Sequence, residues 1–112
     1  MMQKDNRTIA FVCTGNTCRS PMAEAIFNDM AEKNGVCVRA ESFGIATSTG
    51  LPVSENSVIA CKEIGIDLSG KASTAVADAG IEKYEKFYCM SQSHAKMLMQ
   101  FFLVQPEKIA VL

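Results

Sequence analysis

The sequence contains no tryptophan, only three prolines, a single histidine, and no apolar run near the ~20 residues that a membrane span needs. It also lacks an excess of either charge, since 11 Lys and Arg stand against 12 Asp and Glu, leaving a formal net charge of −1. Each shortage excludes something. The near-neutral balance argues against a nucleic-acid or polybasic membrane surface. The polar start MMQKDNR is no signal peptide, so the expected compartment is cytoplasmic. Cysteines at 13, 18, 37, 61 and 89 are odd in number and without paired spacing, which excludes a secreted disulfide framework. The closest pair, Cys13 and Cys18, has four residues between, and with one histidine available no metal site is expected.

What remains is ordinary globular material. With 48% hydrophobic and 21% charged residues, residues 1–112 read as a single domain, large enough for a core but at the smaller end of the range. The stretch around which the rest is organised is Thr8 to Ile26, TIAFVCTGNTCRSPMAEAI. Thr8 to Val12 is a short β-leaning run, and a helical pattern opens at Pro21. Between them lies the loop Cys13-Thr14-Gly15-Asn16-Thr17-Cys18-Arg19-Ser20.

A strand, a tight loop and a helix in that order build an anion site from backbone alone. The first-turn N–H groups of the helix lack intrahelical acceptors and point out of its positive end. Gly15 permits the positive φ of a curled loop and Asn16 tolerates it, so the amides can converge into a nest. Pro21 suits the first turn. A thiol at the strand end points into this field, which favours the thiolate, the attacking form. Arg19 adds a planar fork matched to two oxygens of a phosphoryl group. Ser20 is placed to hydrogen-bond the Cys13 sulfur. Together these residues point to attack on phosphorus, giving a cysteinyl-phosphate that water cleaves.

The run Val12-Cys-Thr-Gly-Asn-Thr-Cys-Arg-Ser-Pro21 resembles the phosphate loop of the low-molecular-weight protein tyrosine phosphatases, V-C-x-G-N-x-C-R-S-P, at every fixed position. The resemblance implies Cys13, Arg19 and Ser20 as catalytic, and Thr14, Gly15, Asn16, Thr17, Cys18 and Arg19 as phosphate-binding. It implies Ser42 as loop support through Asn16, and no cofactor. The bacterial protein-arginine phosphatases in particular share C-T-G-N-T-C-R-S-P. Thr17 stands where tyrosine-directed members carry a bulky aliphatic residue, and the loop at 45–49 lacks the family's aromatic wall, so both features lean toward phosphoarginine over phosphotyrosine. Where family members place His or Arg after the second helix, this chain has Gly70, Lys71 and Ser73, and the resemblance offers no loop support from that side.

Further along, alternating strands and helices predict an α/β fold with a parallel sheet. The resemblance makes it flavodoxin-like and three-layered, with four strands in the order 2-1-3-4. A helix is expected from about Ser20 to Asn34, burying Met22, Ala23, Ile26, Phe27 and Met30 and ending at Gly35. A strand follows over Val36 to Phe43. The next helix begins at Pro52 or Ser54 and ends near Ile64, with Val58, Ile59 and Ile64 buried. Thr74 caps a short helix through Ala79. Lys86 to Met90 is the third strand, and Ser91 or Ser93 caps a helix through Phe102. Ile109 to Leu112 is the fourth strand. Cys37, Cys61 and Cys89 read as small core residues. His94, in the first turn of its helix, reads as a surface or capping residue.

The family's general acid, an Asp in a D-P loop, has no counterpart, since none of Pro21, Pro52 and Pro106 follows an Asp. The family's final covering helix is likewise absent from this sequence. Slow turnover of substrates with poor leaving groups is expected, as is an open sheet face covered either by a longer chain or by a second copy forming a homo-oligomer. The expected partners are a phosphorylated protein or peptide as substrate and inorganic phosphate as product or inhibitor. The leading function is a cysteine-dependent protein phosphatase. The alternatives are a phosphate-binding module that keeps the loop for affinity, and an arsenate reductase in which Cys89 joins a later redox pair. Cys18 has two readings, a reversible disulfide partner for Cys13 or a residue packed under the loop.

Overall fold

The computed structural model describes residues 7–112, so the polar start at 1–6 lies outside the described residues. Strand β1 spans Arg7–Cys13, and its last five residues are all buried. Successive side chains on a strand point to opposite faces, and here each face has its own core. Ala10 and Val12 join Phe43, Val76, Tyr84, Phe87, Cys89 and Leu98 on one side. Ile9 and Phe11 join Ala40 on the other, where Ala23, Phe27, Tyr88 and Met90 pack against them. A strand buried on both faces belongs at the centre of a sheet covered on both sides.

That position is observed. Strand β1 pairs in parallel with β2 (Val38–Gly44) and with β3 (Lys86–Cys89), and β3 pairs with β4 (Ile109–Val111), giving the order β2-β1-β3-β4. The α/β class, the parallel sheet and the strand order all match the expectation. Helix α1 (Arg19–Lys33) lies on the Phe11 face. Beside it sits α2 (Glu55–Glu63), joined through Val53, Cys61 and Leu68 with Met22, Ala25 and Val58. The short α3 (Val76–Ala79) and α4 (Gln92–Phe101) cover the Val12 face. No helix among the described residues is long and apolar enough to cross a membrane.

Local signals fixed most helix ends. The Ser54 side chain accepts from the Ser57 amide and caps α2, as expected. Gly35, Gly65 and Gly80 follow helices with positive φ, the conformation that ends a helix and favours glycine. Thr74 does not cap α3. Its N-terminal position is Ala75, with no side-chain cap, and the Thr74 amide donates instead to Asn16 in the loop after β1.

Several burial assignments are corrected. Met30, Ile59 and Ile64 are exposed, and so is Cys37, while Cys61 and Cys89 are buried as expected. The helical stripe of α1 is shared between the sheet and α2, so neither neighbour reaches Met30 at its far end. Strand β2 begins at Val38 rather than Val36. On the α1 face the cover thins toward β4. Tyr88, Met90 and Ala110 are half-buried there.

Candidate active site

The loop between β1 and α1 sits at the carboxyl end of the central strand, where β1 is flanked by β2 and β3. Ligand sites of open α/β sheets fall outside the carboxyl ends of their strands. Cys13 closes β1 and is buried beneath the loop. Its Sγ lies 2.8 Å from Ser20 Oγ and accepts the Asn16 amide at 3.1 Å. Asn16 adopts φ 56°, the left-handed turn that curls the chain back over the sulfur. The amides of Gly15, Thr17 and Cys18 have no acceptor among the described residues. Unpaired N–H groups around a curled loop at a helix N-terminus form a concave anion receptor. Arg19, the first residue of α1, is exposed at its rim.

Asn16 is the hub of the support. Its Nδ2 donates to Ser20 Oγ at 2.8 Å and to Ser42 Oγ at 2.9 Å, and its Oδ1 accepts the Thr74 amide at 2.7 Å. Ser42 in turn donates to Glu24 Oε1 at 2.6 Å, and Lys71 Nζ holds Glu24 Oε2 at 2.7 Å. The chain of contacts thus runs from Lys71 through Glu24, Ser42 and Asn16 to the residues around the sulfur. Lys71 overturns the expectation that Gly70, Lys71 and Ser73 give the loop no support from that side, and Thr74, which follows them, adds to it. Where the resemblance implies a His or Arg, Thr74 acts through its backbone and Lys71 through Glu24.

Gly44, at the end of β2, touches the loop from a third direction. A Cβ on it would lie 2.6 Å from the Thr14 carbonyl oxygen and 3.1 Å from the Gly15 carbonyl carbon. The loop therefore rests on bare backbone. Two amides of the following segment, Ile45 and Ala46, donate to the carbonyls of Cys13 and Thr14 at 2.9 and 3.0 Å.

His94 is not a surface or capping residue. It is buried, with Nε2 2.9 Å from Thr14 Oγ1 and Nδ1 3.0 Å from Ser91 Oγ. Burial, aided by the positive charge of Arg19, pushes its imidazole below its ordinary value and favours the neutral ring. Ser91 stands at the N-terminal position of α4, but its hydroxyl is hydrogen-bonded with His94 Nδ1 and Ser93 Oγ rather than with the helix backbone. Cys18 is exposed, which removes the reading that it packs under the loop.

The predicted loop residues and Ser42 are therefore brought together, and Glu24, Gly44, Lys71, Thr74 and His94 are additions. One of these had a signal in the sequence. Ser20 and Glu24 are four apart on α1 and so share a face.

A profile of the family described as low molecular weight phosphotyrosine protein phosphatase matches residues 8–112. The chain belongs to this family. Among relatives within and around it, a protein-arginine-phosphatase of Bacillus subtilis (strain 168) is 35% identical over 104 residues, covering 93% of this chain and 69% of the relative. The low molecular weight protein-tyrosine-phosphatase YfkJ of the same organism is 36% identical over 86 residues, covering 74% and 55%. Among solved structures, the YwlE arginine phosphatase, as a cysteine-to-serine variant with a phosphorylated active-site serine, has a TM-score of 0.86 at 33% identity. That match covers 93% of this chain and 68% of the other. The two relatives are thus matched over 69% and 55% of their own lengths, and for YfkJ this is little more than half.

Proposed function

We propose that this protein hydrolyses phosphorylated protein side chains through a cysteinyl-phosphate on Cys13. The observation that carries the reading is the sulfur itself, buried under unpaired loop amides with Ser20 Oγ at 2.8 Å and the Asn16 amide at 3.1 Å. In the first step the Cys13 thiolate attacks phosphorus, an S–P bond forms, and the bond to the leaving group breaks with its electron pair. The loop amides and the Arg19 fork hold the three phosphoryl oxygens, which carry the spreading charge. In the second step water attacks phosphorus and the S–P bond breaks. The electron pair returns to sulfur, where the Ser20 hydroxyl and the Asn16 amide receive it, and inorganic phosphate leaves. The phosphorylated active-site serine of the YwlE cysteine-to-serine variant supports a covalent phosphoryl transfer of this kind.

For the side chain attacked, phosphoarginine is favoured over phosphotyrosine by Thr17, half-buried within the loop, and by the aromatic-free stretch at 45–49. Identity does not decide between them, since the two Bacillus relatives differ by one per cent. Hydrolysis of phosphoarginine and phosphotyrosine peptides, compared between the parent and Thr17→Ile, tests the choice. A fall in the arginine-to-tyrosine ratio is expected, and an unchanged ratio would reject the role of Thr17.

An activated aryl phosphate whose leaving group departs as the anion needs no proton, and it is the right probe for a sequence without an Asp-Pro pair. Rapid-quench measurement should show a burst of nitrophenolate equal to the protein concentration, abolished in Cys13→Ala. Phosphate binding without a burst would instead support the binding-module reading. Arsenate reduction is disfavoured because Cys89, its candidate redox thiol, is buried in the core and pushed up to about 11 by desolvation.

A further inference from the structure

Helix α4 follows directly on β3, the neighbour of β1, so its first turn lies beside the phosphate loop. From that turn His94 makes the one hydrogen bond recorded between an α4 side chain and the loop among the described residues, to Thr14 Oγ1 at 2.9 Å. Ser91 Oγ, 3.0 Å from the other ring nitrogen, sets the plane of the imidazole. Thr14 is the residue immediately after Cys13, and it is gripped on two sides. Its carbonyl accepts the Ala46 amide at 3.0 Å and abuts Gly44, while its side chain meets His94. The loop residue to which the His94 side chain is hydrogen-bonded is thus the one whose peptide joins the nucleophile to the anion receptor.

We propose that His94 is a positioning residue for oxyanion binding, fixing through Thr14 Oγ1 the peptide that follows Cys13 so that the loop is formed before the phosphoryl group arrives. This rests on the phosphate-loop reading above. A pre-formed receptor is not reorganised on binding, so losing the strut weakens affinity without changing any group that touches phosphate. A histidine that merely filled the start of α4 would be coupled to helix stability and indifferent to Thr14.

Calorimetric titration with inorganic phosphate separates these, applied to the parent, His94→Ala, His94→Gln, Thr14→Val and the His94→Ala/Thr14→Val double variant, with thermal melting of each. Affinity should fall roughly five- to ten-fold in His94→Ala and in Thr14→Val, the worth of about one net hydrogen bond. The double variant should be no weaker than either single, because both remove the same contact. His94→Gln, whose amide keeps a hydrogen-bonding tip, should recover most of the loss. The chain has a single histidine, so its imidazole NMR signals are unambiguous. They should move when phosphate is added to the parent and stay in place in Thr14→Val. Full affinity in a folded His94→Ala, or losses that multiply in the double variant, would overturn the proposal. If His94→Ala does not fold, unchanged affinity in Thr14→Val would overturn it equally. A parent protein that binds no phosphate at all defeats the phosphate-loop reading itself, whereas a parent that binds alongside equally tight variants defeats only the role of His94.

Discussion

The Thr74 amide donates to Asn16 Oδ1 at 2.7 Å, joining residues 58 apart in the sequence. Because an N–H must face an oxygen, this bond orients the Asn16 amide, and Nδ2 is left to hold Ser20 and Ser42. The positive φ at Asn16 is thereby locked from both ends of its side chain, and its own N–H is directed at the Cys13 sulfur. Backbone curvature over Cys13 is maintained by contacts on β2, α1 and the segment before α3.

Replacing Asn16 by Ala removes those bonds while the loop still requires a left-handed residue. Unpaired polar groups and the left-handed conformation together should lower stability by about 2–4 kcal/mol. The urea midpoint measures it. A change within 0.5 kcal/mol, roughly that of an ordinary surface substitution, would mean that the network carries little.

Gly44→Ala tests the contact between β2 and the loop. The added Cβ would stand 2.6 Å from the Thr14 carbonyl oxygen and 2.8 Å from Thr47 Cγ2, so the loop must move. A displacement near 1 Å should reduce turnover of an activated aryl phosphate on the order of 10²-fold. Steady-state kinetics on a variant with native circular dichroism gives the answer, and parental kinetics would show that the loop yields without consequence.

The buried imidazole gives stability a definite pH dependence. His94 titrates below its ordinary value of 6.5 in the folded protein, chiefly through burial and then through the charge of Arg19. Near and below that value the unfolded chain binds more protons than the folded one, so stability rises with pH. The contribution is fully present above 6.5 and is lost as pH falls through the lower folded value. Denaturant midpoints measured across this window should fall on acidification, and His94→Gln should flatten that component. An identical slope in the variant would place the titrating group elsewhere.

Peroxide should reveal the use of Cys18. It is exposed, five positions from the buried Cys13 in the same loop. Peroxide converts a thiolate to a sulfenic acid, which condenses with a neighbouring thiol to a disulfide, releasing water, and a dithiol later reduces the bond. Cys18→Ser should therefore regain less activity than the parent after peroxide followed by dithiothreitol. Equal recovery would end the protective role.

Much of this site could be read directly because its parts are contiguous. The residues from Cys13 to Pro21 specify a strand end, a left-handed turn and a helix start by local rules, and the structure assembles them in that order, with Asn16 rather than Gly15 taking the positive φ. Thr8 to Val12 likewise read as a β-leaning run and lies in β1, while the burial of both its faces is seen only in the structure. Local rules failed where a residue answers to a distant partner. Ser91 has the identity and position of a cap, yet its hydroxyl goes to His94. Thr74 has the identity of a cap, yet its backbone goes to Asn16. His94 on its helical turn reads as solvent-facing until β3 carries that turn against the loop.

By itself, then, the order of residues determined the chemistry. It placed a thiol, a curl of amides and a guanidinium within nine consecutive positions of an α/β chain, because hydrogen bonding and steric preference over such short distances need no knowledge of the rest. Tertiary structure alone decided how firmly that chemistry is held. The parallel crossings of the sheet bring Glu24, Ser42, Lys71, Thr74 and His94 to one strand end. Hydrogen bonds between groups so far apart along the chain exist only after the sheet has closed the distance between them.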